Sequence, residues 1–373
     1  MKHHRLVFTA LLGLVLSISC FASTGQLLYV QYGQTLDTYS VNPATAAAKK
    51  LGSLALQALP AYASQVLHGP RSPYVYVIGF TSATTEFIWV YATSSKGVPF
   101  PHPIQTLSVK PALAQFIFQP GGKFAYAVFS WSDSNPTSFG DIVLFTVDPN
   151  TGILTNTKKA LVNFPPDDYG YWTLYGLSSK GTKLYLKQTY YFSPTTNGID
   201  YYYAALDRKT GLLGKLIHFW RDDTSNGPAS STFSDLLIAQ DVAPYGFSPE
   251  IDVYANQVYA KNPSPLIVCN YKMLSACGDS GTAQFDPSGK NLFITDTTIN
   301  SVEIAAVKAK SLAATGSIPG TPSTLVFSPQ GNLVYAIEGQ EVLIYVFDPA
   351  TGLPGAKSSI TLPPGFVFIY PAS

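Results

Sequence analysis

"LVFSPQGNLVYAI" (325–337), closed a few residues later by "FDPATGLP" (347–354), holds the fold in small. A short apolar run meets Pro329, a Gly follows two places on, and a second apolar run carries Tyr335 six places after the proline. Pro presets φ at the second position of a turn and Gly accepts φ > 0 after it, so both stretches read as hairpin connections between antiparallel strands. The same spacing leads from Pro70 to Tyr76, Pro120 to Tyr126, Ser179 to Tyr185 and Pro287 to Phe293. A further copy, Pro249 to Tyr254, is one residue short. The second turn recurs as "VDPNTGIL" (147–154), "LDRKTGLL" (206–213) and, more loosely, "VNPATAAA" (41–48). The repeating unit is therefore four strands.

The seventh copy is split between the two ends of the chain. "QLLYVQYG" (26–33) is a second strand with Tyr29 in the aromatic column and no first strand ahead of it. The missing strand stands at the other end, in "GFVFIYPAS" (365–373), where Pro371 aligns with Pro329 and Ile369 with Phe327, Phe285, Phe247, Leu177 and Phe118. An unpaired apolar strand would template aggregation. The spacing of the aromatics, roughly 40–70 residues, suits propeller blades with variable loops. These observations predict an all-β, seven-bladed β-propeller in which 365–371 closes blade one beside the N-terminal strands.

The composition agrees with sheet: 24 Tyr and 22 Phe, with only 12% charged residues. Residues 1–22 read as a secretory signal, with Lys2 to Arg5 basic, Leu6 to Ile18 apolar and Cys20-Phe21-Ala22 a small-x-small cleavage site. A single domain over 23–373 is expected, exported to the periplasm or the extracellular space, without a transmembrane segment and monomeric. In a competing reading Ser17-Ile18-Ser19-Cys20 is a lipobox and Cys20 carries a lipid. Two basic residues leave with the signal, so the remaining chain is close to neutral and offers no electrostatic footprint for nucleic acid.

The pattern FSPxG, then VYA, then V(Y/F)DPxTG, in blades three, six and seven, resembles the seven-bladed propellers of the lactonase-like or YVTN type, a superfamily that includes the propeller form of 6-phosphogluconolactonase. The resemblance covers structural positions along the whole mature chain and implies the fold. Family members with lactonase chemistry place Arg and His just ahead of the innermost strands. The matching segments here, from "LPAYASQ" (59–65) to "TLPPGFV" (361–367), hold no His or Arg, and Lys110 is their one basic residue. No catalytic residue carries over.

His68 occupies the column filled elsewhere by Phe, Leu or Ile and reads as a hydrogen-bonded core histidine. Arg71 and Arg208 fall in turns, and His102 between two prolines in a surface loop. "CGDSGT" (277–282) is similar to the segment around a serine-protease nucleophile, but no base accompanies Ser280, which reads as a turn residue. Cys269 and Cys277 flank a turn in blade five, where third and fourth strands would oppose each other at disulfide distance. They are expected to form a disulfide. The paired aspartates lack the alternating oxygens of a calcium loop, so neither metal nor cofactor is expected.

Long aromatic connections in blades three to five, 129–141, 163–172, 189–203 and 218–235, supply the candidate binding residues: Trp131, Tyr171, Trp172, Tyr190, Trp220, Arg221, Asp222 and Asp223. Aromatics beside carboxylates suit a glycan or a protein partner. They equally suit caps over the spaces between enlarged blades. The sequence thus supports a binding scaffold without a catalytic constellation, with a lactonase-type hydrolase as the alternative.

Overall fold

The computed structural model describes residues 25–56, 63–70, 72–82, 85–109, 113–129, 142–162, 170–178, 180–193, 196–223, 229–233, 237–242, 250–255, 267–269, 280–296, 298–309, 311–365 and 367–372. They build an all-β β-propeller, with no helix among them. Seven four-stranded antiparallel sheets are present among the described residues. Sheet 1 runs β28 (Val367–Pro371), β1 (Gln26–Tyr32), β2 (Thr35–Val41), β3 (Ala48–Ala55). Sheet 2 follows with β4 (Ala63–His68), β5 (Tyr74–Ser82), β6 (Thr85–Ala92) and β7 (Gln105–Val109). Sheet 3 holds β8 (Leu113–Phe118), β9 (Phe124–Phe129), β10 (Ile142–Val147) and β11 (Leu154–Val162). Sheet 4 holds β12 (Gly170–Leu177), β13 (Lys183–Ser193), β14 (Thr196–Leu206) and β15 (Leu213–Asp223). Sheet 5 holds β16 (Ala229–Phe233), β17 (Leu237–Val242), β18 (Glu250–Ala255) and β19 (Ile267–Cys269). Sheet 6 holds β20 (Ser280–Phe285), β21 (Asn291–Asp296), β22 (Ser301–Val307) and β23 (Leu312–Pro319). Sheet 7 holds β24 (Thr324–Phe327), β25 (Leu333–Glu338), β26 (Glu341–Asp348) and β27 (Leu353–Thr361).

Within each sheet the first–second and third–fourth connections emerge on one side, called here the turn face. The second–third connections and the crossings to the next sheet emerge on the other, the loop face.

The two ends of the chain meet in sheet 1. Tyr29 pairs with Tyr370, Val30 with Ile369 and Gln31 with Phe368. The expected aromatics Tyr29, Tyr76, Tyr126, Tyr185, Phe293 and Tyr335 all lie on second strands. Tyr254 does not: it sits on β18, the third strand of sheet 5, opposite Ile238 of β17. That copy lacks a DPxTG turn downstream, so nothing in the sequence fixes its place in the sheet. The expected disulfide falls partly outside the described residues. Cys269 ends β19, the fourth strand of sheet 5, and Cys277 lies outside the described residues.

Described side chains form six seams between neighbouring sheets. Val66, Val75 and Trp89 pack on Tyr29, Leu36 and Leu54. Phe116 and Phe145 meet Tyr76 and Ile88, and Leu184 and Leu186 meet Tyr126 and Leu144. Sheets 5 and 6 share Val253, Ile267, Phe285 and Ile294, and sheets 6 and 7 share Phe293, Ile304, Val334 and Tyr345. Tyr335 and Ile344 return to Val30, Val41 and Ile369 of sheet 1. A further described cluster holds Tyr185, Tyr201, Phe219 and Trp220, all of sheet 4.

The column aromatic does more than fill a seam. Tyr29 Oη donates to Gly97 O at 2.8 Å, Tyr76 Oη to Gly152 O at 2.9 Å and Tyr126 Oη to Gly211 O at 3.0 Å. Each bond runs from a second strand to the third–fourth turn of the next sheet. The acceptor must be glycine at Gly152, where φ is +71° and a Cβ would stand 2.4 Å from the Tyr74 ring. Burial drives these phenols far above their usual pKa, so they remain neutral donors. Phe293 cannot donate, and there Thr315 Oγ1 bonds Gly352 O at 3.0 Å. In the seam between sheets 7 and 1 the turn carries Ala46 at φ +58°, and its carbonyl accepts from Ser358 Oγ.

Glutamine amides close the strand edges. Gln65 gives Nε2 to Phe116 O at 2.9 Å and accepts from Phe116 N at 3.0 Å. Gln105 does the same with Leu154, at 2.9 and 2.8 Å. Each satisfies backbone groups that the sheet itself leaves unpaired.

Tyr126→Phe removes one seam bond and strands the Gly211 carbonyl. Its denaturant midpoint is expected to fall by the equivalent of about 1 kcal/mol with an unchanged m-value; an unaltered midpoint would remove the seam bond from the account of stability.

Candidate functional site

Sheet 4 is longer than its neighbour. β13, β14 and β15 have 11 residues each, whereas β9 and β10 have six. The third strands of sheets 3 and 4 both end on an aspartate turn, at Asp148 and Asp207, so the extra length of β14 projects on the loop face. At about 3.3 Å per residue the overhang is on the order of 15 Å. Parts of 189–203 and 218–235 that the sequence reads as long connections are thus strand, because runs such as "TYYF" and "IDYYY" favour a pleated, half-buried surface.

The register of the four strands gathers most of the candidate residues. Trp172, Gln188, Asp200 and Arg221 form one transverse row. Tyr171, Thr189, Ile199 and Asp222 form the next, followed by Gly170, Tyr190, Gly198 and Asp223. Six of the eight expected site residues therefore occupy three adjacent rows at the loop end of one sheet. Trp220 differs: it is only 5% exposed and packs with Tyr185, Tyr201 and Phe219. It pairs with Tyr201 across a register in which alternate residues turn to opposite faces, which sends its ring into the core. Trp131 lies outside the described residues.

The chemistry of the first row centres on Asp200, a carboxylate that is 3% exposed. Arg221 grips it with both arms, Nε to Oδ1 at 2.6 Å and Nη2 to Oδ2 at 2.7 Å. His218 Nε2 approaches Oδ1 at 3.0 Å, and its ring tilts over Tyr202 with centroids 5.0 Å apart. A buried carboxylate needs such compensation. The Arg221 side chain is 46% exposed, so the pair presents a fixed charge to solvent while its anionic half is covered. Asp200 and Gln188 escaped the sequence reading, because only the bulge between Tyr201 and Tyr202 brings Asp200 opposite Arg221 while leaving His218 beside Tyr202.

The remaining candidates are placed as follows. His102 is exposed, and Arg208 bonds the Lys180 carbonyl at the surface. Ser280 opens β20 opposite Asp296 instead of lying in a turn. Arg71 is outside the described residues. His68 stacks on Tyr29 at 6.3 Å in the seam between sheets 1 and 2, and its buried Nδ1 has no hydrogen-bond partner among the described residues. It is a partly buried residue of that seam, with the Gly69 backbone beside it. No group of three or more potential metal ligands occurs among the described residues.

No family model matches the chain, and no curated protein matches it. Solved structures do. A Lactobacillus plantarum protein superposes with a TM-score of 0.58 at 14% identity, covering 93% of this chain and 99% of its own. A candidate 6-phosphogluconolactonase from Bacteroides fragilis gives 0.54 at 15% identity, with 93% and 99% covered. A hypothetical selenium-binding protein from Sulfolobus tokodaii gives 0.58 at 13%, with 93% and 94% covered. Identities this low establish a shared propeller fold and no shared chemistry.

His68 supplies a pH dependence. Burial lowers its pKa below the usual 6.5, partly offset by the backbone at Gly69. The unfolded chain then binds a proton that the folded chain resists, so stability is full above about pH 6.5 and declines as pH falls towards the folded-state value. His68→Phe, the residue of the same column at Phe118, Phe285 and Phe327, is expected to flatten chemical-denaturation stability between pH 6.5 and 5 relative to wild type. Parallel curves for the two proteins would contradict this.

Proposed function

We propose that the chain is an exported, seven-bladed β-propeller that acts as a binding scaffold and recognises a glycan or a protein partner at the loop end of sheet 4. The observation that carries the reading is the strand register that sets Tyr171, Trp172, Tyr190, Arg221, Asp222 and Asp223 in three adjacent rows. Arg221 is pre-positioned by Asp200, so little side-chain entropy is lost when its outer edge meets a ligand. Alternate residues of a strand turn to opposite faces, so the first and third rows share a face, and aromatics, a fixed guanidinium and a carboxylate in those rows suit a sugar, which offers an apolar ring face and a hydroxyl rim.

A lactonase-type hydrolase is the second reading. It is favoured by the Asp200–His218 contact, since a carboxylate that orients an imidazole is an arrangement for proton abstraction from water. A glycan array probed with wild type, Trp172→Ala and Arg221→Ala separates the two. Binding reduced about tenfold or more by each substitution supports the scaffold. Lactone hydrolysis abolished by His218→Ala, without glycan binding, supports the enzyme.

The seven-blade count rests on reading all seven sheets as one ring, with β28 as the inner strand of blade one and an aromatic seam between sheets 4 and 5. Val367, Ile369 and Tyr370 pack into the seams on either side of sheet 1. At ~1.5–3 kcal/mol for each large apolar side chain, their burial is comparable with the net stability of a small domain. Deleting 365–373 is expected to abolish cooperative melting and to shift the protein to aggregates in size-exclusion chromatography. A truncated chain that melts like the full one would refute closure.

A further inference from the structure

Charge is sorted between the two faces of the propeller. On the turn face of sheets 2 to 4, Lys96, Lys123, Lys180, Arg208 and Lys209 are all exposed. Their turns touch. A Cβ at Gly122 would stand 2.5 Å from Pro70 O, and one at Gly181 2.4 Å from the Pro120 ring, so the first–second turns of sheets 2, 3 and 4 abut. Tyr74 ties the third–fourth turn of sheet 3 to sheet 2 through Asn150 O, and Arg208 bonds the Lys180 carbonyl. Lys290 and Lys308 extend the same sign to sheet 6. The exposed acids of this face, Asp148, Asp207 and Asp348, are bonded within their own turns, to Asn150 N, Thr210 Oγ1 and Thr351 Oγ1.

Among the described residues the opposite face carries no such cluster of free cations: Arg221 is engaged by Asp200, Glu338 and Glu341 are exposed at strand ends there, and Glu86, Asp200 and Asp296 are buried.

We propose that the basic turn face docks on an anionic lipid bilayer, with the loop face turned outward. Two observations choose a bilayer over a soluble polyanion. The face is built of short turns at one end of antiparallel sheets, a broad surface and not a groove. Phe100, on the third–fourth connection of sheet 2, and Leu353, which opens β27 at the turn end of sheet 7, are 51% and 49% exposed and can enter a headgroup layer. The docking goes beyond the binding function proposed above and leaves the loop end of sheet 4 open to solvent.

The test uses protein beginning at Ser23, which contains every described strand and lacks Cys20, so that any binding belongs to the folded face. Co-sedimentation is measured with vesicles of phosphatidylcholine alone and of phosphatidylcholine with phosphatidylglycerol, at low and high salt. Binding confined to the phosphatidylglycerol vesicles, lost at high salt, and reduced about tenfold or more in the triple variant Lys123→Glu/Lys180→Glu/Lys209→Glu is the expected result. Glu338→Gln/Glu341→Gln, on the other face, is expected to bind like wild type, and circular dichroism melts verify that each variant is folded. Failure to sediment with phosphatidylglycerol vesicles at low salt, or an unaffected triple variant, overturns the proposal. So does capture by soluble alginate with no vesicle binding.

Discussion

A strand cannot be left with bare amides on an apolar edge, and in this molecule that constraint is met by pairing the last strand with the first. Tyr29 to Tyr370 and Val30 to Ile369 bring residues from opposite ends of the chain into one ladder. With β28 in place, sheet 1 has an inner strand like the others, and its two faces become seams: Ile369 turns to sheet 7, and Tyr370 and Ala372 to sheet 2.

The architecture was legible because its signals are local. A Pro or Ser, a Gly two places later and an aromatic six places later need only a tight turn and the strand period to be read. At Pro249 the same signal misled, since one missing residue and no DPxTG turn downstream left Tyr254 free to take the third position in sheet 5. The site was legible only in composition. That Trp172, Gln188, Asp200 and Arg221 share a row depends on bulges at Leu174/Gly176 and Tyr201/Tyr202, each of which shifts the pairing by one residue. Trp220 shows the same dependence from the other side, because its position relative to Arg221 decides which ring is covered and which charge is exposed.

The seams show how one physical need is met with different atoms. A turn carbonyl facing the preceding sheet requires a donor, and tyrosine supplies it at Gly97, Gly152 and Gly211. At Phe293 the hydroxyl comes from Thr315, and at the Ala46 turn from Ser358, in both instances from the fourth strand of the preceding sheet. The need belongs to the buried carbonyl, not to the residue type that answers it.

The tyrosine and threonine seam bonds point forward, from a sheet to one made after it, whereas Ser358 reaches back to Ala46. A nascent chain therefore makes sheets 1 to 3 before the acceptors of their tyrosines exist, and the first sheet lacks its inner strand until Val367–Pro371 are made. Contacts of such sequence separation are slow to form. Until synthesis ends, the growing polypeptide is a row of half-finished layers with one hungry margin at its start, and its passage to the folded state is governed by how long that margin can be kept from other chains.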